Sequence, residues 1–414
     1  MNPKLELKFA VNFPYKGGGG IWSRFAESAI AFLQPQDYVL INASSLISRK
    51  GDFTPIFKKT IDEELREKYG RFPSVKIIVD FGSAFREYVD GVESDGSDRS
   101  LDSVIQRAAL GYQQLSQVWK PALYTSIDVP TVQPPHIKIK GGERRPLFNT
   151  VNDRMNVNYR ILESYKSLLR DSHLAPGRLL ISIQGHPKLP ETYASAFQKF
   201  GFSGGIAGFS MGSLTETKIS TSYNQETIEK RLQEFFDTCL TVRKCLENIE
   251  IVDGSFHLHF MGCGSYTKLP LIAYVFSEFP QLIITADLQT PVKRAADNEY
   301  LELKKGRYDA ATNDHLSARC ECEMCRTIND SRFGGSISSF LASNEGKELI
   351  SEKSSEEVRR KTVLIWHNIL VHRRLAKMLS GKKTSDEVLD STRETSEPRL
   401  FSRIENIVTR KTLI

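Results

Sequence analysis

The sequence predicts an α/β protein whose parallel strands close into a (β/α)8 barrel of the TIM type, with a C-terminal zinc-binding subdomain. Apolar, β-rich runs recur along the first part of the chain, and helical stretches separate most of them. Repeated strand-then-helix units give a parallel sheet that is buried on both faces. Seven or eight such units favour a closed barrel, although an open sheet also satisfies the pattern.

The predicted strands follow one another at fairly regular intervals. A short strand precedes residue 13, and the others are predicted at 37–43, 75–80, 122–128, 178–184, 204–209, 256–261 and 282–287. The helical stretches between them include 157–169, 190–200 and 227–247.

Four of these runs end in a polar residue, namely Asp80, Asp128, Gln184 and Asp287. The C-terminal ends of parallel barrel strands form one rim, and active sites are built there. Each residue alone is also explained as a cap of the following helix. Four polar strand ends on one rim favour a functional site over four separate caps.

A tight group of thiols near the C-terminus predicts a metal site. Cys320, Cys322 and Cys325 lie within six residues in a chain that has six cysteines in all. Zinc takes four such ligands in a tetrahedron, and His367 is the best candidate for the fourth. The helix predicted around His367 carries an apolar stripe formed by Leu370, Val371, Leu375 and Met378. Three Cys and one His close the coordination sphere, so the zinc would be structural, whereas the alternative is three buried or disulfide-linked cysteines.

Length and composition suggest one or two domains, since the chain has 414 residues and 40% hydrophobic content. We expect the barrel at 1–310, the zinc-binding subdomain at 311–380 and a polar tail at 381–414. That tail is charged and rich in Ser and Thr, so we expect it to be poorly ordered or loosely packed.

Several function classes are disfavoured by the rest of the sequence. No apolar run reaches membrane-spanning length and the N-terminus has no signal-peptide segment, so a cytoplasmic location is expected. The net charge of +6 is compatible with a nucleic-acid partner. Four glycines at 17–20 lack the Lys-Ser/Thr of a nucleotide-binding loop, which leaves a flexible loop or one that touches a substrate backbone.

From about residue 178 to 367, the order of motifs resembles the queuine and archaeosine tRNA-guanine transglycosylases. The matching segments are Ser-Ile-Gln-Gly-His at 182–186, the glycine-rich 201–209, His-Phe-Met-Gly-Cys-Gly at 259–264, Ala-Asp-Leu-Gln-Thr-Pro-Val-Lys at 286–293, and the Cys-x-Cys-x-x-Cys with its later His-Asn. A weaker match at Asp80 extends the resemblance over roughly Ile78 to Met378.

The departures from that family look like its DNA-modifying branch, the DpdA type, which exchanges guanine in DNA for a 7-deazaguanine base. Asp-Phe-Gly-Ser-Ala-Phe at 80–85 replaces the usual Asp-Ser-Gly-Gly-aromatic, and the segment between Cys325 and His367 is longer. We expect no RNA-binding domain after the zinc segment, and the N-terminal region looks unlike that of the tRNA enzymes.

The resemblance implies a base exchange by two displacements. Asp287 would be the nucleophile that attacks C1′ and forms a covalent enzyme–DNA intermediate, and Asp80 would be the general acid/base. For both residues, helix capping is the alternative. The incoming base would be a 7-deazaguanine, with 7-cyano-7-deazaguanine as the first choice.

The base pocket implied by the resemblance has a polar part and an apolar part. Its candidates are Asp128, Gln184, the backbone around Gly208, Phe209, Met261, and Phe81 or Phe85. A carboxylate at Asp128 accepts hydrogen bonds from the donor edge of a guanine-like base. For either Phe, packing in the apolar core explains the residue equally well.

Candidate nucleic-acid contacts lie in the basic loop 136–145 and after the predicted nucleophile. The candidates are Lys138, Lys140, Arg144, Arg145, Lys293 and Arg294, and a solvated charged loop is the alternative for the first four. A duplex hides C1′, so the target guanine must be flipped out or unpaired.

The resemblance also allows a homodimer or an accessory protein. Competing functions are a transglycosylase that acts on tRNA and a non-catalytic, zinc-stabilised nucleic-acid-binding barrel.

Overall fold

The computed structural model describes most of the chain. The described residues are 5–13, 25, 27–28, 32–43, 58–70, 73–81, 101–132, 136–138, 144–146, 148, 150–170, 177–201, 206–214, 225–249, 256–279, 282–302, 307–311, 314–316, 320–330, 332–350, 352, 354–396 and 398–412.

Eight parallel strands form a closed barrel, which confirms the predicted fold class. In ring order they are β1 (Glu6–Asn12), β2 (Tyr38–Asn42), β3 (Lys76–Asp80), β4 (Leu123–Thr125), β7 (Leu179–Gln184), β8 (Gly208–Gly212), β9 (Phe256–Phe260) and β10 (Leu282–Asp287). Two antiparallel hairpins lie outside the ring, β5 (His136–Lys138) with β6 (Arg144–Pro146), and β11 (Glu299–Glu302) with β12 (Arg307–Ala310).

Helices surround the barrel. They are α1 (Ile61–Tyr69), α2 (Leu101–Gln114) with a π-helical turn (Leu115–Trp119), α3 (Val151–Arg170), α4 (Glu191–Phe200), α5 (Gln225–Glu247), α6 (Lys268–Phe276), α7 (Thr290–Ala296), α8 (Glu323–Ile328), α9 (Ile337–Ala342), α10 (Asn344–Leu349), α11 (Glu356–Leu379), α12 (Ser385–Thr395) and α13 (Pro398–Thr412). No helix within these described residues is both long enough and apolar enough to span a membrane.

The alternation of side chains along each strand divides the core into two parts. Outward-facing residues such as Ile77 and Val79 of β3 pack in the large cluster between barrel and helices. Inward-facing residues such as Ile78 of β3 and Leu180 of β7 form a small cluster inside the barrel. Because successive strand residues point to opposite faces, Asp80 follows Ile78 onto the inner face.

The strand register places Asp80 and Asp287 at the same end of the barrel. Asp287 lies opposite Ala10 of β1, Ala10 lies opposite Tyr38 of β2, and Tyr38 lies opposite Lys76 of β3. Neighbouring strands of a (β/α)8 barrel are offset by about one residue each. Asp80 lies four residues beyond Lys76 along β3, and the three strand steps from β10 to β3 offset about three of these four residues. The two carboxylates therefore lie at nearly the same height on the C-terminal rim.

The helix that carries His367 is part of the barrel wall. α11 packs on β1 and α7, and the rings of Phe9 and His372 lie 5.3 Å apart. Trp366 is fully buried between Phe25 and Phe32, with ring centroids at 5.0 and 4.8 Å. The metal-binding segment is therefore continuous with the outer layer of the barrel.

The prediction of a poorly ordered tail after residue 380 is wrong. Residues in this region form α12 and α13, and Val388, Ile404 and Val408 are buried. α12 packs on α6 and α13 packs on α5. In α13, the apolar residues Leu400, Ile404 and Ile407 lie three or four apart and form a buried stripe. The buried face of α12 consists of Val388, Ser391 and Thr392.

Candidate functional site

The C-terminal rim carries a polar inward-facing layer. Besides Asp80 and Asp287, β1 and β2 end in Asn12 and Asn42, and β7 ends in Gln184. Two residues below it, the inner positions are apolar on β1, β2 and β3, namely Ala10, Leu40 and Ile78, but polar on β7 and β10, namely Ser182 and Thr285. The polar side chains at the ends of these strands locate the candidate active site.

Asp287 is held by neutral hydrogen-bond donors. Asn12 donates its side-chain amide to Oδ2 at 2.7 Å, and the backbone N–H of Gly262 donates to Oδ1 at 2.7 Å. Nε2 of His259 lies 3.5 Å from Oδ1. The carboxylate is almost buried, with 6% of the residue exposed. Neutral donors orient a carboxylate without neutralising its charge, which is what a nucleophile requires.

A buried hydrogen-bonded chain lies beneath Asp287. Oγ1 of Thr285 lies 2.8 Å from Nδ1 of His259 and 2.8 Å from Nε2 of His257. Burial lowers the pKa of His259, and burial together with the neighbouring His259 lowers the pKa of His257 to about 3. Both imidazoles are therefore neutral at physiological pH.

Asp80 lies three strands from Asp287 round the ring, at the end of β3. Its Oδ1 accepts a hydrogen bond from Oγ1 of Thr125 at 3.3 Å, and the same hydroxyl oxygen accepts the backbone N–H of Phe81 at 2.8 Å. The residue is half-buried, so a substrate can reach it. The structure thus brings the two predicted catalytic carboxylates to one rim.

Asp128 and Gln184 form a buried pair beside Asp80. Nε2 of Gln184 donates a short hydrogen bond to Oδ2 of Asp128, and both residues are 2% exposed. Burial and, to a smaller extent, the negative charge of Asp80 raise the pKa of Asp128 to about 7, while hydrogen bonds from Gln184 and Ser182 oppose the shift. Oε1 of Gln184 has no hydrogen-bond partner within the described residues.

Helix α3 fixes the backbone that carries Asp128. The side chain of Asn158 accepts from the N–H of Val129 at 2.9 Å and donates to its carbonyl at 2.7 Å. Arg154 donates to the carbonyl of Thr131 at 2.9 Å. This segment therefore has a defined conformation although it lies beyond the end of β4.

Three of the residues predicted for the base pocket lie elsewhere, and those predictions are wrong. Phe81 packs against Tyr112 of α2 at 4.4 Å and is 1% exposed. Phe209 packs against Phe197 of α4 at 4.8 Å in the outer cluster. Both follow an inward-facing position, so strand alternation turns them outward.

Gly208 lies at the opposite end of the barrel from the predicted pocket. It begins β8, whereas the sequence analysis placed it near the end of a strand at 204–209. The residues of this strand that reach the rim are Gly212 and then Ser213, whose φ is 54°. Met261 does lie on the rim, half-buried, directly after β9. Phe85 lies outside the described residues.

The predicted nucleic-acid contacts are described only in part. Lys138, Arg144 and Arg145 belong to the β5–β6 hairpin, which follows β4 and so leaves from the catalytic rim. Their side chains and the whole of Lys140 lie outside the description. Lys293 is exposed on α7.

Arg294 is already paired within the protein, which argues against its predicted role. Its guanidinium donates to Oε2 of Glu299 at 2.9 Å and lies 5.6 Å from the ring centre of Tyr308. These contacts tie α7 to the β11–β12 hairpin. The residue is therefore better explained as a structural link than as a phosphate contact.

Cys320, Cys322, Cys325 and His367 form a cluster that could hold a metal ion. One ligand atom from each lies within 4.8 Å of all the others. Ligands about 2.3 Å from a tetrahedral metal lie roughly 3.8 Å apart, so only a small contraction closes the site. Nδ1 of His367 faces Sγ of Cys322 and Sγ of Cys325 at 3.4 and 3.2 Å. The donor set and its spacing fit a four-coordinate metal.

The surroundings of this cluster orient its histidine. Nε2 of His367 donates to the carbonyl of Leu301 at 3.0 Å, which leaves the lone pair of Nδ1 directed at the thiols. The next residue, Asn368, accepts from the N–H of Leu301 at 2.7 Å and donates to the carbonyl of Pro291 at 3.0 Å. The metal cluster is thereby connected to α7, which begins three residues after Asp287.

Sequence reasoning missed several residues that shape the site. Asn12, Thr285 and His259 contribute to the surroundings of Asp287, and Asn158 fixes the segment of Asp128. The alternation of His257 and His259 in β9 was a visible signal, since two polar residues two apart share the inner face of a strand.

Comparison with known proteins adds no family assignment to this geometry. A scan against protein-family models finds no match, and a search of curated proteins finds no significant similarity.

Proposed function

We propose that this protein is a DNA-guanine transglycosylase, which exchanges a guanine in DNA for a 7-deazaguanine base through a covalent aspartyl intermediate. The observation that carries the proposal is the placement of two carboxylates, Asp80 and Asp287, at nearly the same height on one rim. Of the buried Asp128–Gln184 pair, Asp128 follows β4 and Gln184 ends β7, and these are the next two strands of the ring after β3. The arrangement supports a pocket in which a base is read beside two reacting groups.

The first displacement uses both catalytic carboxylates. An oxygen of Asp287 forms a bond to C1′ of the target nucleotide while the bond from C1′ to N9 of guanine breaks. The electron pair of that bond stays with guanine, and protonated Asp80 supplies the proton that makes the leaving base neutral. The donors Asn12 and Gly262 keep the attacking carboxylate in place.

The second displacement reverses these roles. Asp80, now ionised, takes the N9 proton of the incoming 7-deazaguanine, and N9 attacks C1′. The bond between C1′ and Asp287 breaks and its electron pair returns to the carboxylate. Two inversions give overall retention, and each carboxyl group ends in its starting protonation state.

The Asp128–Gln184 pair offers the acceptors that a guanine-like edge requires. Ionised Asp128 accepts from the N1–H and the exocyclic amine. One oxygen of Asp128 is engaged by Gln184, and the free Oε1 of Gln184 adds an acceptor beside it. Half-buried Met261 supplies a polarisable surface for the ring face.

We propose zinc as the metal of the Cys3His cluster. Three thiolates and one imidazole are a closed structural zinc set, and no ligand position remains for a substrate. The metal would hold the middle of α11, which carries His367, and the α8 turn against the barrel, and it takes no part in the base exchange. Reduced thiols of this kind persist in a reducing compartment, which supports a cytoplasmic location.

DNA is proposed as the acceptor because the sequence departs from the tRNA enzymes at its N-terminal region and between the thiols and His367. The basic β5–β6 hairpin leaves the catalytic rim, where it can reach the backbone of a flipped nucleotide.

The direct test is exchange of labelled guanine out of duplex DNA, single-stranded DNA and bulk tRNA, measured in parallel with 7-cyano-7-deazaguanine present. We expect release from DNA by the wild type and none by Asp287→Asn. Asp297→Asn, which alters an exposed carboxylate at the end of α7, is the matched control and should exchange normally.

Each alternative function has its own signature in that assay. Release of labelled guanine from tRNA but not from DNA would show that the substrate is tRNA. Binding of nucleic acid by both wild type and Asp287→Asn, with no exchange on any substrate, would leave a binding barrel without catalysis.

A further inference from the structure

His259 has a buried nitrogen that the reaction scheme leaves unused. Nε2 has no hydrogen-bond partner within the described residues, and Oδ1 of Asp287 lies 3.5 Å from it. The residue is fully buried. A buried polar atom without a partner destabilises the fold, so its direction towards the proposed nucleophile calls for an explanation.

The opposite side of the same ring is fixed by the hydroxyl of Thr285. Nδ1 of His259 and Nε2 of His257 each lie 2.8 Å from Oγ1 of Thr285. All three residues are inside the barrel, on the adjacent strands β9 and β10. A threonine hydroxyl has one proton, so it donates to one imidazole and accepts from the other.

The charge of Asp287 selects between the two possible arrangements. If Thr285 donated to His257, the lone pair of His259 Nε2 would face the carboxylate. If Thr285 donates to Nδ1 of His259, then Nε2 carries the proton and points it at Oδ1. The second arrangement is electrostatically favourable, and it requires His257 to donate from Nε2.

Lys76, the cation on the far side of His257, does not reverse this choice. Lys76 lies near His257 and interacts with Tyr38, whose ring packs 5.4 Å from that of His257. A cation on that side disfavours an imidazolium at His257. Both rings therefore stay neutral, and His259 offers a dipole and not a counter-charge to the carboxylate.

We propose that His257 and Thr285 fix His259 in its Nε2–H tautomer, and that His259 is thereby a positioning residue for the attacking carboxylate of Asp287. This inference rests on the proposed function for its kinetic consequence, whereas the tautomer itself does not depend on any activity. As a substrate draws the carboxylate forward, the N–H of His259 limits rotation of Asp287 about its side-chain bonds.

Steady-state exchange tests the kinetic consequence with Thr285→Val, which keeps the shape of the residue and removes the hydroxyl. We expect kcat to fall about 10- to 100-fold, the value of one hydrogen bond to a charged group, with KM for the incoming base unchanged. His259→Phe should lose at least as much, and His259→Gln should recover part of the loss because its amide N–H can face Asp287. Ser210→Ala is the matched control, since Ser210 has a buried hydroxyl in the same layer with no hydrogen-bond partner within the described residues.

Nitrogen-15 NMR of the eight histidines tests the tautomer in the full-length protein without any activity. We expect a protonated Nε2 and an unprotonated Nδ1 for His259 from pH 5 to 8, and a change in that pattern in Thr285→Val and in Asp287→Asn. A protonated Nδ1 in the wild type would overturn the proposal. So would a wild-type kcat for Thr285→Val in an enzyme that exchanges bases, whereas a wild type without exchange but with the expected tautomer would refute the proposed function alone.

Discussion

The side-chain amide of Gln184 lies directly against the Cα of Gly212. A Cβ added at Gly212 would lie 1.9 Å from Nε2 of Gln184, far inside van der Waals contact. The two residues are partners in the register of β7 and β8. A side chain at position 212 would therefore displace the Gln184 amide from the place where it donates to Asp128.

Gly212→Ala should therefore disrupt base binding. The new methyl group displaces the Gln184 amide, and Asp128 loses the hydrogen bond that orients it. We expect KM for the incoming base to rise roughly 10- to 100-fold, as for a lost hydrogen bond to a charged group, with a smaller effect on kcat. Gly70→Ala adds the same methyl group at the end of α1, where nothing lies within 4 Å. The φ of 75° at Gly70 strains an alanine and should lower stability, but KM should stay unchanged. An unaltered KM in Gly212→Ala would contradict the assignment of Gln184 to the pocket.

Asp128 should make stability depend on pH. Its pKa is about 7 in the folded protein against an ordinary value of 3.8, so the unfolded chain releases this proton first as the pH rises. The free energy of unfolding then falls between about pH 4 and pH 7 and is constant above, with a loss on the order of a few kcal/mol. Asp128→Asn removes the titration and should flatten that part of the profile in urea unfolding. A wild-type slope in the variant would show that another group is responsible.

Removal of the metal should destabilise the protein where α8 and α11 pack against the barrel. A metal present at 1,000 times its dissociation constant contributes about 4 kcal/mol, because the unfolded chain does not form the site. Cys325→Ser should lower the metal content from one zinc per chain to none and reduce the unfolding temperature, as should a chelator. Cys245→Ser changes a half-buried thiol outside the cluster and is the control. Equal metal content in both variants would refute the Cys3His site.

The basic hairpin should control the salt dependence of DNA binding. Each phosphate contact contributes about 0.9 to the slope of log affinity against log salt for duplex DNA. Replacing Lys138, Lys140, Arg144 and Arg145 together by Ala should reduce the magnitude of that slope by about 3.6, or 0.9 for each of the four. Lys382 and Lys383 follow Gly381, whose N–H bonds to the carbonyl of Leu5 at the other end of β1, so their replacement by Ala is the control. An unchanged slope in the hairpin variant would show that the β5–β6 hairpin does not contact the DNA phosphates.

The sequence predicted the barrel and its polar rim because both depend on local patterns. A polar residue that closes an apolar run marks the C-terminal end of a parallel strand, and this rule correctly placed Asp80, Gln184 and Asp287. The Cys-x-Cys-x-x-Cys spacing likewise predicted three ligands of one metal site. In the structure, these three cysteines and His367 form one cluster.

The errors came from strand boundaries and from long-range contacts. The strand predicted at 204–209 runs instead to Gly212, and such a shift moves every side chain to a different height or face. Asn12 reaches Asp287 from 275 residues away, which no local pattern contains. The stripe of Leu400, Ile404 and Ile407 in α13 was present in the sequence, but the charged residues between these positions hid it.

Trapping of the covalent intermediate tests the pairing of Asp80 with Asp287 most directly. Asp80→Asn keeps the nucleophile and removes the proton carrier, so with a DNA guanine and no incoming base we expect a slow, denaturation-resistant adduct that peptide mass spectrometry maps to Asp287. Asp287→Asn should give no adduct under any condition. An adduct on another residue, or its persistence in Asp287→Asn, would contradict a mechanism in which these two carboxylates act on one guanine.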